Sequence, residues 1–311
     1  MPDSGMGKAR VDGSTVTLHA GASELAVAPA IGGSVAWYRT RAGSRTIDWL
    51  RPATAEALAA GDAGAMGCFP LVPFSNRIRH GRFRFGGRSI QLPLNVPGEP
   101  HAEHGHGWQA PWHVTAREPA ALAIDYRHEA DAWPFPYAAR QIFRLEPASL
   151  TIEIAVSNTG GEPMPVGLGL HPYFPRTEET LLTAPVARMW AIDAEVMPTK
   201  LIDPPAECRL DRGVRVDEVA MDNGFTGWSG RAEIRWPKEH ARLIMSADRL
   251  LGFLVVYTPP GEDFFCAEPV SNCTDAFNLA AEGRRDTGLI VLKPGESASA
   301  TTRFITEIEA N

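Results

Sequence analysis

The chain has 311 residues, of which 29 are Gly and 26 are Pro, a density of helix-unfriendly residues that argues against a helical bundle. An apolar fraction of 44% supplies a large core and argues against wholesale disorder. The 30 basic and 37 acidic residues leave a net charge of −7 with no Lys/Arg run, which argues against a nucleic-acid partner.

Residues 1–12 carry no apolar stretch of the kind a secretory leader needs and read as a flexible segment. Strand-like alternation begins at residues 15–19, 24–28 and 34–39, and residues 54–60 form two helical turns with Thr54 as the cap. Residues 82–85 and 88–92 flank Gly86-Gly87 and read as a hairpin with Phe83 and Phe85 inward. Strands follow at 112–117, 122–128 and 139–145. The segment 151–157, TIEIAVS, then puts Ile152, Ile154 and Val156 on one face and Glu153 and Ser157 on the other. Further strands are predicted at 232–236, 242–246, 253–258, 289–292 and 298–308, with a short helix over 275–282. Turn residues punctuate these elements, and no linker, charge block or short repeat divides them. The expectation is an all-β chain: one domain over 1–311, a large antiparallel β-sandwich with few short helices. The longest apolar run, 250–257, suits a buried strand and falls short of the roughly 18–20 residues of a membrane span. Cys68, Cys208, Cys266 and Cys273 form no CxxC pair and read as reduced thiols of a cytoplasmic protein.

Four segments depart from ordinary strand and turn sequence. In PLVPFSNRIR, residues 70–79, Pro73 denies a central ladder position, so a loop is expected; Arg77 there either donates its planar fork to oxygen ligands or is a surface residue of the turn. In HAEHGHGWQAPW, residues 101–112, three histidines among glycines could converge on a metal, present an imidazole and an indole to a polar ligand, or mark an exposed bend. In GLGLHPYF, residues 167–174, His171 is expected at a strand end, stopped by Pro172, either as a proton donor and acceptor or as a satisfied core histidine. In FFCAEPVSNCTDAFN, residues 264–278, Glu268 is likewise expected at a strand end. Apolar walls there would raise its basicity; otherwise it points to water. A weaker fifth segment, MDNGFTGW at 221–228, offers Asp222 as a hydroxyl acceptor or as the start of an Asn223-Gly224 turn. No GxSxG elbow, P-loop or HExxH is present.

Taken in order from about Leu25 to Phe304, these segments resemble the aldose 1-epimerase (mutarotase) family of the galactose mutarotase-like β-sandwich superfamily. Asn76-Arg77-Ile78 looks like the family's NRI segment, and His104-Gly105 followed by Trp112 looks like its HG…W segment. His171-Pro172-Tyr173-Phe174 is similar to the HPYF segment of the catalytic histidine. Asp222 followed by Phe225 resembles the sugar-binding aspartate segment, and Glu268-Pro269 with Asp275-Ala276-Phe277-Asn278 resembles that of the catalytic glutamate. His101 and His106 are additional to the pattern; His104 fits it best because Gly105 follows directly. The Glu268-Pro269 form looks like a bacterial subgroup rather than the galactose-specific members.

The resemblance implies the supersandwich fold and interconversion of the α- and β-anomers of a free aldose, with Glu268 as the base at O1 and His171 as the acid at O5. Arg77, His104 and Asn76 would hold the ring oxygen and nearby hydroxyls, and Asp222 those farther round. One or more of Trp108, Trp112 and Phe225 would stack on the sugar. No cofactor or metal is implied; the partner is a small aldose, with neither nucleic acid nor membrane, and monomer and homodimer are both open. Three rivals stand beside this reading. A mutarotase for sugar phosphates or other anionic sugars would draw on Arg77, Arg79, Arg82 and Arg84 as a basic cluster. A carbohydrate-binding module would bind without turnover, and a zinc hydrolase would use the 101–106 histidines.

Overall fold

A computed structural model describes residues 15–309; the flexible segment expected over 1–12 lies outside the described residues. Two large antiparallel sheets dominate, one of 11 strands and one of 9. The second runs, in sheet order, His113–Glu118, Ala121–His128, Tyr137–Glu146, Ser149–Asn158, Ser297–Ile308, Ala241–Ala247, Arg231–Trp236, Leu181–Thr183 and Val214–Arg215. Its strands alternate as the sequence does: Ile152, Ile154 and Val156 are buried and the residues between them are not. That buried face packs on the first sheet. Phe174 and Phe265 of the first sheet meet Phe304 of the second through Phe174, at a ring separation of 6.3 Å.

The first sheet places the candidate residues. Its middle strands, in sheet order, are Cys68–Leu71, Gly169–Pro175, Phe264–Val270, Phe253–Tyr257 and Asp222–Thr226. Alternate residues of these strands point to opposite faces. Leu170, Phe174, Phe265, Ala267 and Phe225 enter the core between the sheets. Phe69, Leu71, Tyr173, Cys266 and Val270 face the other way, under a short helix and turns carrying Ile31, Ala57, Ala63, Met66 and Trp108. Cys68–Leu71, Gly169–Pro175 and Phe264–Val270 are buried on both faces, so no alternation marks them in the sequence. Cys68–Leu71, Arg188–Ile192 and Pro198–Ile202 carried no strand signal at all.

Local chemistry closes the connections. Thr54 caps the helix Ala55–Ala60 by accepting the Ala57 N–H at 3.1 Å, as expected from the sequence, and Gly61 ends it in the left-handed region. The hairpin Arg82–Phe85 and Arg88–Gln91 turns at Gly86 and Gly87, both with positive φ. The helix Ala276–Ala281 follows Asp275, whose Oδ1 accepts from the Arg79 N–H and from Asn278 Nδ2. That bond pins the helix start to the loop carrying Arg77. All four cysteines are free and buried. No helix among the described residues is long and apolar enough to cross a membrane.

Three expectations need correction here. Pro70 and Leu71 belong to a strand, because Cys68–Leu71 pairs with residues 169–172 and only the segment from Val72 onward leaves the sheet. His171 and Glu268 stand within strands rather than at strand ends; Pro172 keeps its place in the ladder by pairing with Cys68 on one side only. Asn223-Gly224 is not a turn, since Asp222–Thr226 runs as a strand beside Phe253–Tyr257.

Candidate active site

The strands Gly169–Pro175 and Phe264–Val270 are antiparallel neighbours, with Gly169 opposite Val270 and Tyr173 opposite Cys266. Between those two pairs, His171 and Glu268 fall opposite one another, on the face turned away from the inter-sheet core. His171 Nε2 stands 3.4 Å from Glu268 Oε1. Both side chains are more than nine-tenths enclosed, yet both line a cavity of about 260 Å³ open to solvent. His171 Nδ1 and Glu268 Oε2 have no hydrogen-bond partner among the described residues.

Aromatic rings fix the imidazole. His171 stacks on Tyr173 at 4.7 Å and lies 4.5 Å from Phe69, its neighbour across the ladder; Phe69 in turn stacks on Trp108 at 4.9 Å. The Tyr173 ring carries the Arg51 guanidinium 3.9 Å from its centroid, which locks that stack from behind.

The second wall is a two-stranded ladder in which Arg77 pairs with Glu103 and Ile78 with Ala102. Arg77 Nε lies 2.8 Å from Glu103 Oε1, and its Nη2 lies 3.3 Å from Asp222 Oδ2. Asn76 and His104 both take positive φ, and each holds the other: the His104 N–H donates to the Asn76 carbonyl and the Asn76 N–H donates to His104 Nδ1. Nδ1 therefore accepts, which leaves Nε2 carrying the proton toward the cavity. Gly105 follows with φ +71, and a Cβ there would sit 2.4 Å from the Val72 carbonyl oxygen, so only glycine lets this loop close on the sheet.

The family profile of the aldose 1-epimerases matches residues 14–304. The chain belongs to the aldose 1-epimerase family. It is 33% identical to the uncharacterized protein YphB of Escherichia coli K12 over 263 residues, 82% of this chain and 87% of that protein. It is similar to an Escherichia coli K12 crystal structure provisionally described as an aldose 1-epimerase, with a TM-score of 0.86, 30% identity and 95% and 99% of the two chains covered. A galactose mutarotase-like protein from Clostridium acetobutylicum shares the fold, with a TM-score of 0.84, 20% identity and 95% of each chain covered. Family and fold together support a mutarotase-like function, an isomerase-type reaction on a carbohydrate.

In this aldose 1-epimerase family member, Glu268, His171, Arg77, His104, Asp222, Asn76 and Trp108 all line one cavity. The other two histidines of the 101–106 segment diverge from it. His101 accepts the His80 N–H and lies 3.8 Å from Glu195, whereas His106 takes a 2.8 Å hydrogen bond with the Tyr137 hydroxyl. Trp112 and Phe225, two of the three stacking candidates, are corrected as well: both are buried in the main core, so Trp108 alone of the three faces the cavity. Arg82 and Arg84 are exposed, and Arg79 reaches away to Asp193 and Glu195.

The sequence reading missed Glu99, Glu103, Tyr173 and Tyr257 as wall residues. Tyr173 follows from His171 by the two-residue strand period, and Glu103 adjoins His104, but nothing local marks Glu99 or Tyr257.

Burial governs the electrostatics. It pushes the Glu268 carboxyl well above its ordinary value; Asp222 and Glu103 add to the push and Arg77 opposes it. It pushes His171 well below the ordinary histidine value, with His104 and Arg51 adding to that shift. His104 is pushed down to about 3, by burial and then by Arg77. Burial also raises Glu103 and Asp222, which Arg77 only partly offsets. For Arg77 itself burial works against the charge, but Asp222 and Glu103 outweigh it and the guanidinium is held charged.

Proposed function

We propose that this protein is an aldose 1-epimerase acting on neutral free aldoses, with Glu268 and His171 as its acid/base pair. The observation that carries this reading is the 3.4 Å separation of His171 Nε2 and Glu268 Oε1 at the base of the cavity. The two oxygens that exchange protons during anomerisation, O1 and O5, are bonded to the same carbon. An acid and a base serving them must therefore be side by side and face one way. Glu268 takes the O1 proton while His171, protonated, delivers one to O5. The aldehyde turns about its C1–C2 bond, and closure on the other face reverses both transfers. The His104 Nε2–H and the Arg77 guanidinium donate to sugar oxygens, Asp222 and Asn76 engage hydroxyls, and Trp108 offers an apolar face to the ring C–H groups.

The pocket electrostatics bear on which state is stabilised. Burial works against both ions, raising Glu268 and lowering His171, so the empty pocket favours the neutral pair. In the proposed cycle the neutral pair is the distribution reached after ring opening. The ion pair that starts the cycle is the disfavoured one, so sugar binding has to move the proton from Glu268 to His171 before the ring opens.

The deciding experiment is anomer equilibration, followed by polarimetry or NMR on freshly dissolved α-aldoses and corrected for buffer. Acceleration of at least one aldose is expected. Sugar binding without any acceleration would move the protein to the class of non-catalytic carbohydrate binders.

The same pair sets the pH profile. Activity needs one proton on it: a second proton removes the base, and loss of the only one removes the acid. The second proton enters only well below the ordinary histidine value of about 6.5, and the first leaves only well above the ordinary carboxyl value of about 4.3. On the acid side, kcat/KM should therefore fall only well below pH 6.5. An acid-side inflection centred near 6.5 would show an ordinary, solvated histidine and refute the pairing.

The wall charge argues against the anionic-sugar rival. Glu99, Glu103, Asp222 and Glu268 line the cavity with Arg77, whose Nε and Nη2 already face two of these carboxylates. A like charge placed in such a site costs several kcal/mol, so glucose 6-phosphate should show a kcat/KM at least about 100-fold below that of glucose. Equal turnover of the two sugars would overturn the neutral-sugar assignment.

A further inference from the structure

Arg51 is a half-buried cation without a carboxylate partner among the described residues. Its side-chain bonds go to backbone carbonyls: Nη2 donates to Gly64 at 2.8 Å and to Met66 at 2.9 Å, while Nε is enclosed with no partner at all. The charge rests instead on two aromatic rings, 3.9 Å from the centroid of Tyr173 and 4.5 Å from that of Phe264. An enclosed cation is ordinarily paired with an acid, so an unpaired one beside the reacting histidine calls for a reason.

The backbone fixes the same contact. The Arg51 N–H donates to the Tyr173 carbonyl at 2.8 Å, and the Tyr173 N–H donates to the Gly67 carbonyl at 2.9 Å. A Cβ at Gly67 would lie 2.7 Å from the Arg51 carbonyl oxygen, so glycine lets the two segments pass. Arg51, residues 64–67 and Tyr173 form one closed unit under the cavity, which Gly64 and Tyr173 line and Arg51 does not. Tyr173 then stacks on His171 with the two rings only 17° from parallel. The ring torsion of a histidine is intrinsically broad, and it decides where Nε2 points. The stack sets that torsion, and Arg51 sets the stack.

Charge adds a second effect. The titratable groups around the imidazole are Glu268, His104 at 5.0 Å, Tyr173, Cys68, Cys266 and, farther off, Arg77. Burial holds both thiols and the phenol protonated and His104 neutral, and it favours the neutral form of Glu268. Arg77 is offset by Glu103 and Asp222. Arg51 is the charge left without an offset.

We propose that Arg51 is a positioning residue of the acid/base pair: through Tyr173 it fixes the plane of the His171 imidazole, and its unneutralised charge acts on that ring. The kinetic consequences rest on the epimerase reading above; the coupling between Arg51 and His171 does not.

Arg51→Lys keeps the charge but loses the planar fork, and Arg51→Gln loses the charge but keeps a donor for the 64–66 carbonyls. Each should lower kcat for anomer exchange by on the order of 10–100-fold, with KM within about twofold of the unsubstituted protein. Only Arg51→Gln should move the acid limb of kcat/KM, upward toward 6.5 by about one pH unit, because the cation no longer opposes a second proton on the pair. The Arg51→Lys and Tyr173→Leu cycle keeps the test open if the glutamine variant does not fold: the cost of Arg51→Lys should largely vanish once Tyr173→Leu has removed the ring it acts through. NMR titration of His171, its signal identified by its loss in His171→Asn, reads the charge effect with no sugar present. If no aldose is equilibrated but Arg51→Gln shifts that titration upward, the Arg51 assignment stands and the epimerase reading falls. Unchanged kcat in both Arg51 variants, or additive costs in the cycle, refutes the positioning role. An acid limb and a His171 titration left in place by Arg51→Gln, with only the melting temperature lowered, would reduce Arg51 to a staple of the 64–66 segment and overturn the proposal.

Discussion

Glu268→Gln is expected to lower the catalysed rate of anomer equilibration by about 10²–10⁴-fold, and His171→Asn by a similar factor, because each removes one partner of a concerted proton exchange. The amide of Gln keeps the size of the carboxyl and its place opposite His171, but it cannot accept the O1 proton. Stability should not follow the rate in the glutamate variant. Burial, with Asp222 and Glu103 adding to it, favours the neutral form of Glu268 in the empty pocket, so Gln puts a neutral amide of the same shape in place of a neutral acid. A lower rate with a nearly unchanged melting temperature is the expected pair of readings. A merely structural glutamate would lose stability along with activity. Combining the two substitutions should cost little more than either alone, since the residues act as a unit. Full activity in either single variant would reassign that role.

Arg77→Met is expected to destabilise the fold by about 3–5 kcal/mol, read as a shift in the urea midpoint at neutral pH. The guanidinium stands between Glu103 and Asp222, is only 15% exposed, and reaches the two carboxylates with different nitrogens. Methionine fills the volume but leaves both acids facing each other in a partly desolvated wall. Lysine is no substitute, because a single ammonium lacks the fork that serves two directions at once. Two further readings separate charge from packing. Adding Glu103→Gln to Arg77→Met should recover part of the loss. The loss should also shrink as pH falls, because the orphaned carboxyls, already raised by burial, take up protons and cease to repel. A pH-independent loss of the same size would assign Arg77 to packing alone.

Much of the architecture was legible because a strand with one buried face writes its geometry into the sequence. In Ser149–Asn158 and Arg82–Phe85 every second residue is apolar, and the turn between Arg82–Phe85 and Arg88–Gln91 needs two positive-φ residues that Gly86 and Gly87 supply. The helix at Ala55–Ala60 is announced by its hydroxyl cap, Thr54. The ordered set of Asn76-Arg77, His104-Gly105, His171-Pro172, Asp222 and Glu268-Pro269 carried the family, and all of those side-chain candidates line one cavity. The middle strands behaved differently. Cys68–Leu71 and Phe264–Val270 are covered on both faces, one by the second sheet and the other by loops, so no alternation marks where they begin or end.

Sequence alone determined the class of fold, the helix caps and hairpin turns, and which residue types carry the chemistry, since each depends on neighbours a few positions away. Tertiary structure decided the rest. It brought His171 and Glu268, 97 positions apart in the chain, to 3.4 Å by setting two strands in register. It chose His104 over His101 and His106, turned Trp112 and Phe225 into the core, and set Glu103 against Arg77. Register and the second layer of burial arise from contacts between distant segments, and no local pattern of residues encodes which distant segment will arrive.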